Sequence, residues 1–138
     1  MAATSKAGAL EELVNRLAQH QDVQNPDQLL EVIRAREEIC STAIGEGVAI
    51  PHGRFPGVGR VFATFARSQE GIDFDAQDGQ LTHLFFLLVA PADSPSEHLN
   101  AMARVSRLLK DPLLRERLMQ VTTPEEIMAV IREKDTSL

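Results

Sequence analysis

A histidine directly after a proline is the strongest candidate for chemistry in this chain. Residues 47–54 are GVAIPHGR, so an apolar run stops at Pro51 and His52, Gly53 and Arg54 follow. Because proline cannot donate to a sheet ladder, Pro51 predicts a strand end, with His52 where the chain leaves the sheet. Gly53 lets another molecule approach closely, and Arg54 carries a planar fork of donors that suits phosphate or carboxylate. The combination predicts a histidine that carries a phosphoryl group.

His98 is the second candidate. If Ser94 is the N-cap of a helix, His98 lies in the first turn of that helix, where unpaired amides and the positive dipole end favour anions. Both candidate histidines would then lie at strand ends and could meet over one edge of the sheet. His83, in the opening of an apolar strand, is interpreted as a hydrogen-bonded core histidine or a supporting residue. His20 is interpreted as a cation at the end of the first helix.

Phosphoryl transfer to an imidazole nitrogen fits these residues. A histidine with an ordinary pKa of about 6.5 is largely neutral at neutral pH, so its free ring nitrogen can attack a phosphoryl group. Positioning and fixed positive groups then supply most of the catalysis. If the donor is itself a phosphohistidine, no nucleotide or Mg²⁺ is needed, and we expect no cofactor. Arg67, after an apolar run, is either a second phosphate partner or a solvated strand-end charge.

A metal site and a hydrolase are alternatives that the residues support poorly. Zinc-ligand side chains are present at Cys40, His52, His83 and His98, but the chain has no C-x-x-C or H-x-x-x-H spacing. Arg54 would also oppose a divalent cation, and no nucleophile-elbow glycine pattern occurs. Cys40 is the only cysteine, which predicts a reducing compartment and a buried small hydrophobic side chain.

Composition and charge limit the class of protein. At 138 residues the chain is expected to form a single domain, residues 1–138. The net charge of −6 and the lack of any lysine and arginine block argue against nucleic-acid binding. The longest apolar run, Leu84 to Pro91, is strand-sized and too short for membrane insertion. Residues 1–6 have no apolar signal core, so we expect a cytoplasmic protein.

The hydrophobic pattern predicts an α/β sandwich, in which a mixed sheet is flanked by helices on both faces. Strands are predicted at 48–50, 61–66 and 81–90, with a polar turn region at 70–80 that has room for a short strand at 72–74. Residues 84–89 show little alternation, so both faces of that strand should be covered.

Two helices are predicted before the strands and three after them. The first covers about residues 6–20, and the other four begin at Pro26, Pro95, Pro112 and Pro124, each in the first helical position. Three of these starts match capping boxes, with Asn25, Ser94 and Thr123 as the capping residues.

The combined pattern resembles the active-site signature of the enzyme IIA domains of the bacterial phosphotransferase system, of the fructose, mannitol and nitrogen-regulatory type. The matching residues are Arg36-Glu37, Ser41-Thr42, Ile44-Gly45-Glu46-Gly47, Ala49-Ile50-Pro51-His52, Arg54, Leu87 to Pro91, Glu97-His98-Leu99 and Leu108-Leu109. The resemblance extends over about residues 6 to 133.

The resemblance implies specific roles. His52 would be the phosphorylated residue, His98 would hydrogen-bond or orient the phosphoryl group, and Arg54 would be the neighbouring cation. The fold would be a mixed sheet between helices. A small histidine phosphocarrier protein (HPr-like) would donate the phosphate. The acceptor would be a transporter's B domain, or a regulatory target protein would respond to the phosphorylated state. The sequence PHGR and a freestanding domain favour the nitrogen-regulatory type, and the fructose or mannitol type is the alternative.

The N-terminus departs from this family pattern. Members usually begin with an apolar strand before the first helix, whereas Met1 to Ser5 is short and polar. We therefore expect that strand to be missing or shortened, which would leave one sheet edge open to another chain. A homodimer through that edge is a further hypothesis.

Overall fold

The computed structural model describes residues 1–21 and 23–136, with the side chains of all of these except His20, Val130 and 132–136. Within these residues, two helices, five strands and three further helices follow one another along the chain. They are α1 (Lys6–His20), α2 (Pro26–Ile39), β1 (Ala43–Gly45), β2 (Val48–Ala49), β3 (His52–Phe55), β4 (Phe62–Ile72), β5 (Thr82–Pro91), α3 (Pro95–Leu109), α4 (Pro112–Gln120) and α5 (Pro124–Thr136).

Strand β5 is the centre of a mixed sheet. Strands β2 and β3 lie end to end along one edge of β5 and run parallel to it, with Val48 opposite Leu84 and His52 opposite Leu88. Strand β4 pairs antiparallel with the other edge of β5, and β1 pairs antiparallel with β2. Strands β2 and β3 therefore both take their position from the same buried strand, β5.

Helices cover both faces of β5, as the lack of alternation predicted. On one face, Phe85, Leu87 and Val89 pack with apolar residues of α1 and α2; on the other, Leu84, Phe86 and Leu88 pack with those of α3 and α4. Each such side chain contributes about 1.5–3 kcal/mol when it is fully buried. The two cores confirm the predicted α/β sandwich, with β5 buried between them.

The strands differ from the prediction, because β1 and β3 were not predicted and β4 is longer than expected. Strand β4 continues to Ile72, which pairs with Thr82. The predicted turn region therefore starts too early. Of the short strand predicted at 72–74, only Ile72 lies in a strand, as the last residue of β4. The register shifts between Arg67 and Ile72, and such an irregularity removes the regular alternation that would have revealed the strand.

Two of the three predicted capping boxes are wrong. Asn25 has a left-handed backbone (φ 54°) and makes no side-chain hydrogen bond to any described residue of α2. Ser94 does not cap α3 either, because its hydroxyl lies 3.5 Å from the Asp93 carboxylate instead. Thr123 does cap α5, by accepting from the amide of Glu126 (3.1 Å). Helices α2 and α3 thus begin at their prolines without a side-chain cap.

The N-terminal residues lie against the edge of β4. Residues 1–4 have no regular secondary structure, and the amine of Met1 donates to the carbonyl of Arg67 (3.0 Å). The amides of Ala2 and Ala3 both donate to the carboxylate of Glu12. The single-domain interpretation and the homodimer through an open edge stay predictions.

Candidate active site

His52 is the first residue of β3 and follows a short break in the strand path. Strand β2 ends at Ala49, Ile50 and Pro51 lie outside the strands, and His52 pairs with Leu88 of β5. The predicted position at the point where the chain leaves the sheet is therefore wrong. Proline lacks an N–H, but its carbonyl still accepts from the amide of Leu88 (3.0 Å), so the chain stays beside β5 and the strand resumes.

The imidazole of His52 has a defined tautomer. Its Nδ1 lies 2.8 Å from the carbonyl oxygen of Ile50. Since a carbonyl oxygen can only accept, Nδ1 must be the protonated nitrogen of this bond. In the neutral ring, Nε2 is then the nitrogen with a free lone pair, and it is available as a nucleophile.

The ring of His98 is the neighbour of the ring of His52. The two ring centroids lie 5.2 Å apart and the planes are tilted by 53°. His98 lies in the first turn of α3, directly after β5, and its side chain is half-buried. Its Nδ1 is shielded from solvent and has no hydrogen-bond partner among the described residues. The structure therefore brings the two candidate histidines together, and leaves a polar atom of one of them unused.

Two arginines act electrostatically on this pair. Arg54 is exposed on β3, and its charge helps to lower the pKa of His98. The arginine whose charge lowers the pKa of His52 is Arg36, near the end of α2. The guanidinium of Arg36 also donates to the carbonyl of Cys40 (2.9 Å). Proximity to His52 in the chain indicated Arg54 as a cation of the site, but not Arg36. Arg36 could have been found from the sequence because Arg36-Glu37 is part of the enzyme IIA signature.

Gly53 positions α2 and does not open the site. A Cβ at Gly53 would lie 3.1 Å from Cδ1 of Ile33 and 3.2 Å from Cγ1 of Val32, both on α2. The prediction that Gly53 lets another molecule approach the site is therefore wrong, because the missing Cβ faces α2. The missing Cβ lets α2 pack directly on β3, and this packing brings the end of α2 to His52.

Burial sets the charge state of the histidine pair. The pKa of His52 is lowered mainly by burial, and also by Arg36, against the opposing effects of the Ile50 carbonyl and the Glu37 carboxylate. The pKa of His98 is lowered by burial, followed by the charges of His52 and Arg54. Both rings are therefore neutral near neutral pH, which is the form that a nucleophilic nitrogen requires.

These shifts predict a fall in stability as the solution becomes mildly acidic. In the folded chain both pKa values lie below the ordinary value of 6.5, so the unfolded chain binds protons first as pH falls. The contribution is fully present above pH about 6.5 and is lost as pH falls towards the folded pKa values. Urea unfolding at a series of pH values should show this slope. A variant with His52→Gln and His98→Gln should show a smaller slope between pH about 7 and about 5; an equal slope would contradict the assignment.

The remaining candidates lie elsewhere. Arg67 is inside β4, and its guanidinium donates to the carbonyls of Leu118 and Val121 at the end of α4; it is neither a phosphate partner nor a solvated charge. His83 donates from Nδ1 to the carbonyl of Ser68 (3.0 Å). Cys40 is exposed at the end of α2, so its predicted burial is wrong. The side chain of His20 lies outside the described residues.

In the described part of the chain, no three His, Cys, Asp or Glu side chains are grouped so that they could hold a metal ion. Among the same residues, no helix combines the length and the apolar character that crossing a membrane requires.

Known sequences match this chain along nearly its whole length. The family model described as "Phosphoenolpyruvate-dependent sugar phosphotransferase system, EIIA 2" matches residues 1–134. A nitrogen regulatory protein of Bradyrhizobium diazoefficiens is 41% identical over 127 residues, which are 92% of this chain and 82% of the relative. A fructose-specific EIIA component of Haloferax volcanii is 33% identical over 129 residues, 94% of this chain and 84% of the relative.

Solved structures agree with the sequences. The nitrogen regulatory protein IIA-Ntr from Neisseria meningitidis has a TM-score of 0.88 and 35% identity, covering 95% of this chain and 89% of that one. The IIA mannitol protein of Escherichia coli has a TM-score of 0.80 at 22% identity, covering 95% and 92%, and supports the fold alone. The resemblance in the signature is confirmed, and the chain belongs to the EIIA type 2 family of the phosphoenolpyruvate-dependent sugar phosphotransferase system.

Proposed function

We propose that this protein is a phosphocarrier that accepts a phosphoryl group on Nε2 of His52 from a histidine phosphocarrier protein. The observation that carries the proposal is the bond of Nδ1 to the Ile50 carbonyl (2.8 Å), which leaves Nε2 as the free nucleophile. Membership of the EIIA family supports a phosphohistidine as the intermediate.

The transfer exchanges one nitrogen–phosphorus bond for another. The lone pair of Nε2 forms a bond to phosphorus as the bond to the donor's ring nitrogen breaks, and that nitrogen keeps the electron pair. The ring of His52 gains positive character while Nδ1 keeps its proton. The hydrogen bond to Ile50 therefore strengthens during the reaction, because its donor becomes charged. The Ile50 carbonyl both orients the ring and stabilises the product.

Cationic and neutral donors around the ring are suited to the phosphoryl oxygens. Arg36 and Arg54 supply permanent charge, and charge stabilisation is the main catalytic device in phosphoryl transfer. His98, with its unused Nδ1, is assigned to hydrogen-bonding or orienting the phosphoryl group. As a neutral ring it can donate one hydrogen bond without opposing the nucleophile by charge.

The relatives support a proposal for the downstream role. We assign this chain to the nitrogen-regulatory type, because nitrogen regulatory proteins of Bradyrhizobium diazoefficiens and Escherichia coli are 41% and 36% identical to it. Its phosphorylation state would then be the signal that a target protein reads, since a phosphoryl group adds about −1.5 to −2 charge. The alternative is a sugar-specific EIIA, which the fructose-specific relative of Haloferax volcanii favours. In that case a transporter B domain would be the acceptor.

Labelling tests the proposed function. Incubation with phosphoenolpyruvate, the general phosphotransferase enzyme and its carrier should label the protein stoichiometrically, with phosphate that is labile to acid and stable to alkali. Purified B domains added as acceptors then separate the two roles: rapid loss of label to a B domain favours transport, and retention favours regulation. A protein that takes up no label under these conditions is not a phosphocarrier.

A further inference from the structure

Glu37 is a buried carboxylate that does not contact the reacting atoms of the proposed transfer. It lies on α2 directly after Arg36 and is 5% exposed. Oε1 accepts from the amide of Thr42 (2.8 Å) and Oε2 accepts from the hydroxyl of Thr42 (2.6 Å). The ammonium of Lys6 lies 3.2 Å from Oε1. A buried charge is costly unless it is satisfied in this way, so both carboxylate oxygens are committed to Thr42.

A continuous series of hydrogen bonds leads from this carboxylate to the nucleophile. Glu37 holds Thr42, and the carbonyl of Thr42 accepts from the amide of Ile50 (3.0 Å). The carbonyl of Ile50 in turn accepts from Nδ1 of His52 (2.8 Å). Ile50 is therefore fixed at both its N–H and its C=O, and the second of these selects the tautomer of the catalytic ring.

Pro51 makes this fixation effective. A residue before proline is restricted to extended conformations, so Ile50 has few alternatives once its amide is bound to Thr42. Loss of the anchor at Thr42 would let the Ile50 carbonyl turn away from the ring.

We propose that Glu37 and Thr42 are positioning residues that hold the Ile50 carbonyl against Nδ1 of His52 and so present Nε2 to the phosphoryl donor. The proposal rests on the proposed function for its effect on transfer, but its effect on the tautomer can be measured without any donor. The negative charge of Glu37 also favours the positive character that the ring of His52 gains during transfer, since it opposes the effect of burial on the pKa of His52.

Asp75 supplies a matched control. Its carboxylate lies 3.1 Å from the ammonium of Lys6 and its side chain is 72% exposed. Asp75→Asn therefore changes the outer partner of Lys6 and leaves the bonds between Glu37 and Thr42 intact. Thr42→Ser is the rescue variant, because serine keeps both the amide and the hydroxyl that Glu37 accepts from.

The test measures the tautomer and the transfer rate in the same variants. Nitrogen-15 NMR of histidine-labelled protein distinguishes the two neutral tautomers of His52. We expect the Nδ1–H form in the wild type, Asp75→Asn and Thr42→Ser, and a mixture of tautomers in Thr42→Val and Glu37→Gln. The rate of phosphoryl transfer from the phosphorylated carrier should fall about tenfold or more in the last two, since a 1 Å displacement can cost about 100-fold.

Each result decides the proposal. The proposal is overturned if Thr42→Val and Glu37→Gln both keep the Nδ1–H tautomer. It is also overturned if both variants change the tautomer but still transfer phosphate at the wild-type rate. Glu37→Gln is nearly isosteric and replaces one accepting oxygen by an NH2 group that cannot accept from Thr42, so it carries the test if Thr42→Val does not fold. If the wild type takes up no phosphate at all, the proposed function fails, while the tautomer measurement still decides whether Glu37 and Thr42 position the ring.

Discussion

A His52→Ala variant should take up no phosphate from the phosphorylated carrier, because the nitrogen that forms the bond to phosphorus is gone. His98 cannot replace it if its role is to orient the phosphoryl group. The measurement is the stoichiometry of acid-labile phosphate after incubation with phosphoenolpyruvate, the general enzyme and the carrier. Loss of a covalent nucleophile leaves only binding and charge stabilisation, which do not form a phosphohistidine.

His83→Gln is the control for this variant. His83 is half-buried and hydrogen-bonded like His52, but its partner is the carbonyl of Ser68 on β4. The control should be labelled like the wild type, and both variants should show cooperative unfolding. Full labelling of His52→Ala would remove His52 as the site.

A His98→Ala variant should keep its fold and transfer phosphate slowly. His98 is half-buried in the first turn of α3, so its removal should cost less than about 1 kcal/mol of unfolding free energy. Loss of one positioned donor to a developing charge costs about 100-fold or more in rate. Single-turnover transfer from the phosphorylated carrier measures the rate, and thermal unfolding measures the stability.

His98→Gln refines this result. Glutamine keeps a hydrogen-bond donor but cannot reproduce the ring, so it should recover part of the rate. A transfer rate in His98→Ala equal to that of the wild type would show that this ring has no part in the reaction. A loss of rate that matches a loss of folded protein would make His98 a structural residue.

The sequence indicated the main features because they depend on local chemistry. The run from Leu84 to Val89 lacks alternation, and the structure buries both faces of β5 accordingly. A histidine after proline and a histidine in a first helical turn are both recognisable without coordinates. Because β3 lies parallel to β5 and α3 directly follows β5, the fold brings these two residues together.

The features that the sequence analysis missed depend on the arrangement of distant segments. The effect of Arg36 on His52 arises because Gly53 lets α2 lie directly on β3, and no spacing within the chain reveals this packing. The predicted strand end before Pro51 is correct, since β2 ends at Ala49, but the chain does not leave the sheet there, because the proline carbonyl accepts from the amide of Leu88 and β3 begins at His52. The capping box at Asn25 failed because the backbone there is left-handed. At Pro51 a local rule is overridden by a contact with a distant strand.

The most direct test is to locate the phosphoryl group on the ring. Phosphorylated protein labelled with nitrogen-15 in its histidines should be examined by long-range proton–nitrogen NMR. We expect phosphate on Nε2 of His52, with Nδ1 still protonated and bonded to the Ile50 carbonyl. Phosphate on Nδ1 of His52, or on any other histidine, would contradict it.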